Sequence, residues 1–336
     1  NRGDVHYWEV WHGNKPFSEY RKYFFRYASE FGFQSFPSVK TLETVTDDPK
    51  ELNPFSYVME KHQRNYGGNG KIAKYMQAAY RYPENFSDFV YASQLLQADG
   101  IRYGVEHYRR NRGRCMGAIY WQLNDCWPVI SWSSIDYYGR WKALHYYAKR
   151  FFAPVMLSCE EQSWMTVEAD MNRQHFEFEK SIRLNVTNET LDAHRVLVKW
   201  AVRKTDATIL REEEQWLEVP ALSAVWMDKV ELPQIDCFNE YVSYEAWEND
   251  QIISQGTVIF SYPKYFRYLN PGLTVRVDGD EIVVKAEAYA KSVEIRNEND
   301  DLILEDNYFD MNAGEYRVKI LDGKPDGLKV RSVYDI

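Results

Sequence analysis

The chain lacks the features of several common protein classes. It has no run of about 18 apolar residues, so no helix of it is expected to span a membrane. Four cysteines, Cys115, Cys126, Cys159 and Cys237, are spread through 336 residues without CxxC spacing. They read as free thiols rather than a disulfide framework, and favour a reducing, cytoplasmic compartment. Clustered cations are scarce too. At a net charge of −9 the chain does not suit a nucleic-acid backbone, and its one basic run, Arg109 to Arg114, reads as the solvated end of a helix. His6 and His12 have no supporting ligands around them and read as packed or hydrogen-bonded side chains. Neither a metal nor a cofactor is expected. The sequons at Asn85, Asn185 and Asn188 carry meaning only in a eukaryotic secretory protein.

What is present is apolar mass and aromatic surface. A hydrophobic content of 45% is ample for real cores, and the length allows two or three domains. Aromatic residues reach 16%, with 11 Trp and 26 Tyr. Such side chains offer flat apolar faces with a polar edge, as sugar rings demand, although a Trp-rich core or interface accounts for the same excess.

Residues 1–153 alternate strand-like and helix-like segments. Tyr23 to Ser29 reads as a buried aromatic strand that ends at Glu30, and a helix begins near Ser38. Asn53-Pro54 predicts the start of a helix running to about Tyr66, and Ser87 the cap of a longer one over about 88–111. Cys115 to Trp121 reads as a strand buried on both faces, with Gln122, Asn124 and Asp125 at its exit. A last helix covers about 140–152. Beyond Pro154 the pattern switches to period two, in Ile182, Leu184 and Val186, in Val196, Val198, Trp200 and Val202, and in Val242, Tyr244 and Ala246. Asn249-Asp250 and Asp278-Gly279 mark hairpin turns. Two β-sandwiches are expected, over 154–262 and 263–336.

The stretches "GDVHYWEVWHG" (3–13), "ASEFGFQSFPS" (28–38) and "YWQLNDCWP" (120–128) each read as a strand exit loaded with aromatic, amide and carboxylate groups. Together they closely resemble the last strands of the catalytic barrel of β-mannosidases, within the clan-A glycoside hydrolase family that also contains β-galactosidases and β-glucuronidases. The resemblance implies an α/β part, the end of a (β/α)8 barrel over 1–153, followed by two immunoglobulin-like sandwiches. It implies that Glu30 is the nucleophile of a retaining glycosidase and that Trp121 lines the sugar subsite. The family's aromatic residues near the glycone fall on Tyr7 and on Trp8 or Trp11. The chemistry suits these residue types, since retaining enzymes place two carboxyl groups about 5–5.5 Å apart, one to attack and one to protonate the leaving oxygen. A neighbouring Tyr such as Tyr7 would hold Glu30 ionised by donating to it. Gln122 and Asn124 would bond sugar hydroxyls, and Asp125 would either do so or serve as a structural acceptor.

The chain departs from the family where the acid/base Glu is due. That residue should follow an Asn well upstream of the nucleophile, and no Asn-Glu pair lies among the 29 residues before Glu30. A closed barrel needs about 250 residues. A C-terminal fragment of a larger enzyme is therefore expected, inactive alone. Its sandwiches, from about 155 to 336, should fold by themselves. The expected partner is a β-mannoside, with no nucleic acid and no membrane, and a homodimer is left open. A β-galactosidase or β-glucuronidase, or a non-catalytic carbohydrate-binding or scaffold module, are the competing readings.

Overall fold

The computed structural model describes residues 3–167 and 177–336. Its N-terminal part is built on short parallel segments. Strand β1 (Val5–His6) pairs in parallel with β2 (Ala28–Glu30). On the other side of β2 the chain from 116 to 121 runs parallel to it. The Ala28 N–H donates to the Gly117 carbonyl at 3.0 Å, and the Ile119 and Trp121 N–H groups donate to Ala28 and Phe31 at 2.8 Å. Helices α1 (Val39–Leu42), α2 (Tyr57–Lys61), α3 (Gly68–Ala79) and α4 (Phe86–Arg110) lie between β2 and that run, and α5 (Ala143–Phe151) follows it. Among the described residues no helix is long and apolar enough to cross a membrane.

Several boundaries differ from the sequence expectation. The aromatic run before Glu30 is mostly a connection, with strand only over Ala28–Glu30, and its rings pack on one another and on α4: Tyr23 stacks on Phe25 at 5.4 Å and Phe24 meets His107 at 4.9 Å. The helix expected from Asn53-Pro54 is reduced to α2, capped by Ser56. Asn85 rather than Ser87 caps α4, accepting from the Asp88 N–H at 3.0 Å. Residues 115–121 are not buried on both faces, because Met116, Ile119 and Trp121 are exposed.

Helix α4 lies close beneath the parallel segments, and its glycines allow that approach. A Cβ on Gly104 would stand 2.9 Å from the Phe31 ring, and one on Gly100 2.8 Å from Phe17. An interior glycine costs helix stability, which the closer packing offsets here.

Beyond residue 154 the chain is β-rich. Strands β3 (Val155–Gln162), β4 (Ser181–Asn188), β7 (Ser223–Trp226) and β8 (Val230–Glu231) form one sheet. It faces a second sheet ordered β10-β9-β5-β6, from β5 (His194–Lys204), β6 (Ile209–Val219), β9 (Glu240–Glu248) and β10 (Gln251–Ile259). Val186, Val196, Val198, Val242, Ala246 and Phe260 are buried between them. The hairpin from β9 to β10 turns through Asn249 and Asp250, both at positive φ, as a two-residue turn of this kind requires. Asn185 and Asn188, two of the sequon positions, are fully buried.

The last sandwich pairs a sheet ordered β11-β12-β16-β14 with one ordered β15-β13-β17. Its strands are β11 (Thr274–Asp278), β12 (Glu281–Ala286), β13 (Ala290–Arg296), β14 (Ile303–Leu304), β15 (Phe309–Met311), β16 (Gly314–Asp322) and β17 (Lys329–Arg331). Its apolar interior runs into that of α4 and α5, so Ile282, Val293 and Phe309 belong to one core with Tyr91, Leu95 and Tyr146. The expectation that 155–336 folds alone meets this continuity: the middle sandwich has its own core, and the last one shares its core with the helices.

Candidate functional site

Parallel segments with short chain exits bring their C-terminal ends to one edge. Trp8, Glu30 and Trp121 lie there, after β1, at the end of β2 and at the end of the 116–121 run. The register is set by backbone bonds, since the Tyr7 N–H donates to the Glu30 carbonyl at 2.7 Å.

The Glu30 carboxylate, 23% exposed, takes two contacts on one oxygen. Trp8 Nε1 donates to Oε2 at 3.1 Å, and His6 Nδ1 lies 3.2 Å from the same atom. Trp8 and not Tyr7 is the donor to Glu30. Successive side chains of an extended segment alternate faces, so His6 and Trp8 share the side of the carboxylate. Tyr7 turns inward, where its ring packs on Tyr20, Tyr23 and Phe25 at 5.8, 5.0 and 5.2 Å. Burial pushes its phenol well above the ordinary tyrosine range.

Trp11 is fully buried, edge-on to Phe33 and Trp132, and is a core residue rather than part of the open edge. Trp121 is 43% exposed beside Glu30's strand, and the Trp121–Gln122 peptide is cis. Gln122 turns back into its own loop, donating to the Asn124 carbonyl at 2.9 Å and to Asp125 Oδ1 at 3.2 Å. Asp125 also accepts from the hydroxyls of Ser131 at 2.8 Å and Ser133 at 2.5 Å. Of its two expected roles, this geometry favours the structural acceptor. Asn124 is exposed.

Three further residues shape this edge without having been singled out for it from the sequence. Trp132, buried, meets Trp8 edge-on at 6.0 Å. A Cβ on Gly32 would stand 2.4 Å from the Trp121 carbonyl and 3.0 Å from the indoles of both Trp8 and Trp132, so only glycine fits between that backbone and the two rings. Lys142 is buried near the Asp125 loop, with Nζ 3.4 Å from the Ser35 carbonyl and 3.5 Å from that of Ser131. Burial pushes its ammonium down to about 8. The signal for Gly32 and Trp132 was their place in or beside the quoted motifs; for Lys142 there was none.

Two cavities lie elsewhere. One of about 80 Å³ is lined by Asp99, Arg102, Arg150, Lys291 and Asp310 where α4 and α5 meet the sandwiches, and one of about 50 Å³ lies beside Ser38, Asp300 and Arg331. Neither includes Glu30, whose edge is open. Among the described residues no group of three or more His, Cys, Asp or Glu is arranged to hold a metal.

Comparison with known proteins bears on both halves of the chain. Residues 180–265 match a Mannosidase Ig/CBM-like domain, and residues 268–336 an Ig-fold domain. β-Mannosidase B of Thermothelomyces thermophilus is 29% identical over 99% of this chain and 41% of its own length. The β-mannosidase of Capra hircus is 37% identical over 46% of this chain and 19% of its own length. Among solved structures, a β-D-mannosidase from Dictyoglomus thermophilum superposes with a TM-score of 0.84 at 27% identity, over 98% of this chain and 40% of that one. The exo-chitosanase CsxA of Amycolatopsis orientalis shares the fold, with a TM-score of 0.63 at 17% identity, over 91% of this chain and 42% of that one. The chain thus spans about two fifths or less of the length of these relatives.

Proposed function

We propose that this chain, a homologue of the C-terminal part of β-mannosidases, carries the nucleophile of an enzyme that hydrolyses terminal β-D-mannosides with retention of configuration. In this reading residues 1–153 supply the last units of a (β/α)8 barrel, with sandwiches over 154–262 and 263–336. The observation that carries it is Glu30 at the C-terminal edge of parallel segments, with one carboxylate oxygen bonded by Trp8 and an exposed Trp121 beside its strand.

The chemistry proceeds from that placement. A Glu30 oxygen attacks the anomeric carbon and forms an ester as the glycosidic C–O bond breaks, while a second carboxyl group gives its proton to the departing alcohol. Water then attacks the same carbon, giving a proton to the second carboxylate, and the Glu30 carboxylate leaves. Trp121 stacks on the sugar face, and the exposed Asn124 bonds a hydroxyl. The second carboxyl group lies outside these 336 residues, so the chain by itself is inactive on unactivated mannosides. The free thiols Cys115, Cys126, Cys159 and Cys237 favour a reducing, cytoplasmic compartment.

Glu30→Gln in the full-length protein keeps the size of the side chain and removes the attacking oxygen. Steady-state assay with an aryl β-mannoside is expected to show nearly all turnover lost at an unchanged melting temperature. Retention of most of the activity would sink the nucleophile assignment.

A further inference from the structure

Lys142, the residue before α5, is fully buried, and among the described residues no carboxylate stands within ion-pair distance of its ammonium. A charge so placed is costly to bury. Nζ donates instead to two backbone carbonyls, that of Ser35 at 3.4 Å and that of Ser131 at 3.5 Å. They belong to different segments of the open edge. Ser35 lies on the chain that leaves β2 after Glu30, Ser131 on the loop that follows Trp121, and the Ser35 N–H donates to the Ser131 carbonyl at 3.0 Å. From there the contacts run back to Trp121. The Ser131 hydroxyl donates to Asp125, and Asp125 accepts from Gln122, the residue joined to Trp121. The backbone of Lys142 holds this loop as well, its N–H donating to the Ser134 carbonyl at 2.9 Å. The charges that face the ammonium are Asp125 of the loop and Asp136 of the turn before α5, and both favour it. Close by, α5 brings His145, bonded to the Ser134 hydroxyl, and α4 brings the neutral amides of Gln94 and Gln97.

We propose that the Lys142 ammonium is a positioning group, a buried pin that fastens the loop bearing Trp121 to the segment leaving Glu30, and that the sugar platform is held in place only while this pin is charged. The inference rests on the reading of Trp121 as the surface on which the sugar stacks. Each of the two carbonyls receives a charge-assisted bond, and the same charge attracts the Asp125 carboxylate that gathers Gln122 and Ser131. Loss of the proton leaves an amine whose hydrogen bonds are about half as strong, and it removes the attraction to Asp125. Burial brings this change within reach of ordinary buffers, since it pushes the ammonium from the usual lysine range down to about 8. Below that pH the loop is fastened; above it the loop is loosened. Lys142 does not touch the sugar and exchanges no proton with it. Its effect falls on sugar binding, which the platform supplies alike to substrate and transition state, rather than on the bond-breaking steps.

The test uses the full-length protein and free mannose, the product sugar, as the probe. Its inhibition constant against hydrolysis of an aryl β-mannoside is measured on either side of about pH 8. In the wild type this constant is expected to rise roughly three- to tenfold as pH increases, the worth of one aromatic stacking contact. Lys142→Met keeps the length of the side chain and drops the charge; melting temperatures are compared first. At neutral pH this variant should already bind mannose as weakly as the alkaline wild type, with KM raised and kcat nearly unchanged, and its constant should stay flat as pH increases. Because the pin acts through the platform, Lys142→Met should add nothing in a Trp121→Ala background. A folded Lys142→Met that binds mannose like the wild type or keeps its pH dependence, or losses of the two variants that add, would overturn the role of Lys142. Should Lys142→Met not fold, the wild type itself decides, since a constant that stays flat across pH 8 overturns the role too. If Trp121→Ala binds mannose normally, the platform reading fails and this inference with it, while the assignment of Glu30 stands.

Discussion

His107 sits beneath the aromatic run that leads to Glu30, with Nε2 2.8 Å from the Tyr23 carbonyl and its ring against Phe24. Burial, and then the charge of Arg110, depress it to about 4, below the value of about 6.5 expected in an unfolded chain. As pH falls, the unfolded chain takes up the proton first. Stability that is fully present above about pH 6.5 is therefore lost as pH falls toward 4. His107→Gln is expected to remove up to one proton, or about 1.4 kcal/mol per pH unit, from the pH dependence of unfolding across that window. Denaturant titrations at several pH values measure it, and an unchanged slope would contradict the assignment. The place of Glu30 was legible because Gly32 and Pro37 punctuate the chain just after a strand-forming stretch. Which neighbour bonds it was not, because Tyr7 and Trp8 are adjacent and a one-residue difference of register exchanges the two faces of an extended segment.

Elements were legible where local chemistry alone decides them. The period-two runs beyond residue 154 became strands, and Asn249-Asp250 became a hairpin turn, since side-chain alternation and turn residues are both written locally. The segment 115–121 was misjudged because burial on both faces requires covering by other parts of a molecule, which a local apolar run cannot report. The start of α4 illustrates a competition between neighbouring caps. Both Asn85 and Ser87 are suitable residue types, and Asn85 wins by placing its side-chain oxygen 3.0 Å from the Asp88 N–H. Asn85→Ala is expected to cost about 1 kcal/mol, the usual worth of such a cap, while Ser87→Ala should cost less as a cap. Chemical denaturation of both variants measures the difference, and equal losses would contradict the capping assignment.

At the scale of the molecule, the last sandwich is fastened to α4 and α5 by more than its shared apolar core. Arg331 on β17 reaches Asp88 at 2.9 Å and also bonds Glu294. Arg150 donates to the Asn307 and Tyr308 carbonyls at 3.0 and 3.1 Å, and Lys149 to the Glu305 carbonyl at 2.6 Å. Arg331→Ala leaves Glu294 buried without its partner, a change that typically costs about 3–5 kcal/mol. Calorimetry should show the transition shared by the helices and the last sandwich moving down, with that of the middle sandwich left in place. A shift confined to the last sandwich would show that the two do not unfold together. This coupling was not legible in the sequence, because it joins residues some 200 positions apart, as in the bonds of Tyr91 to Ser292 and Arg331 to Asp88. It also braces the helix that runs under β2, the strand that ends at Glu30.

The role proposed for Glu30 is to form the covalent bond to the sugar. Its most direct measurement is mass spectrometry of peptides from the full-length protein after inactivation by a mechanism-based fluoromannoside. One added glycosyl group is expected, borne by the peptide that contains Glu30 and absent from the Glu30→Gln variant. A label on another carboxylate, such as Asp125 or Glu9, or inactivation without any covalent adduct, would contradict it.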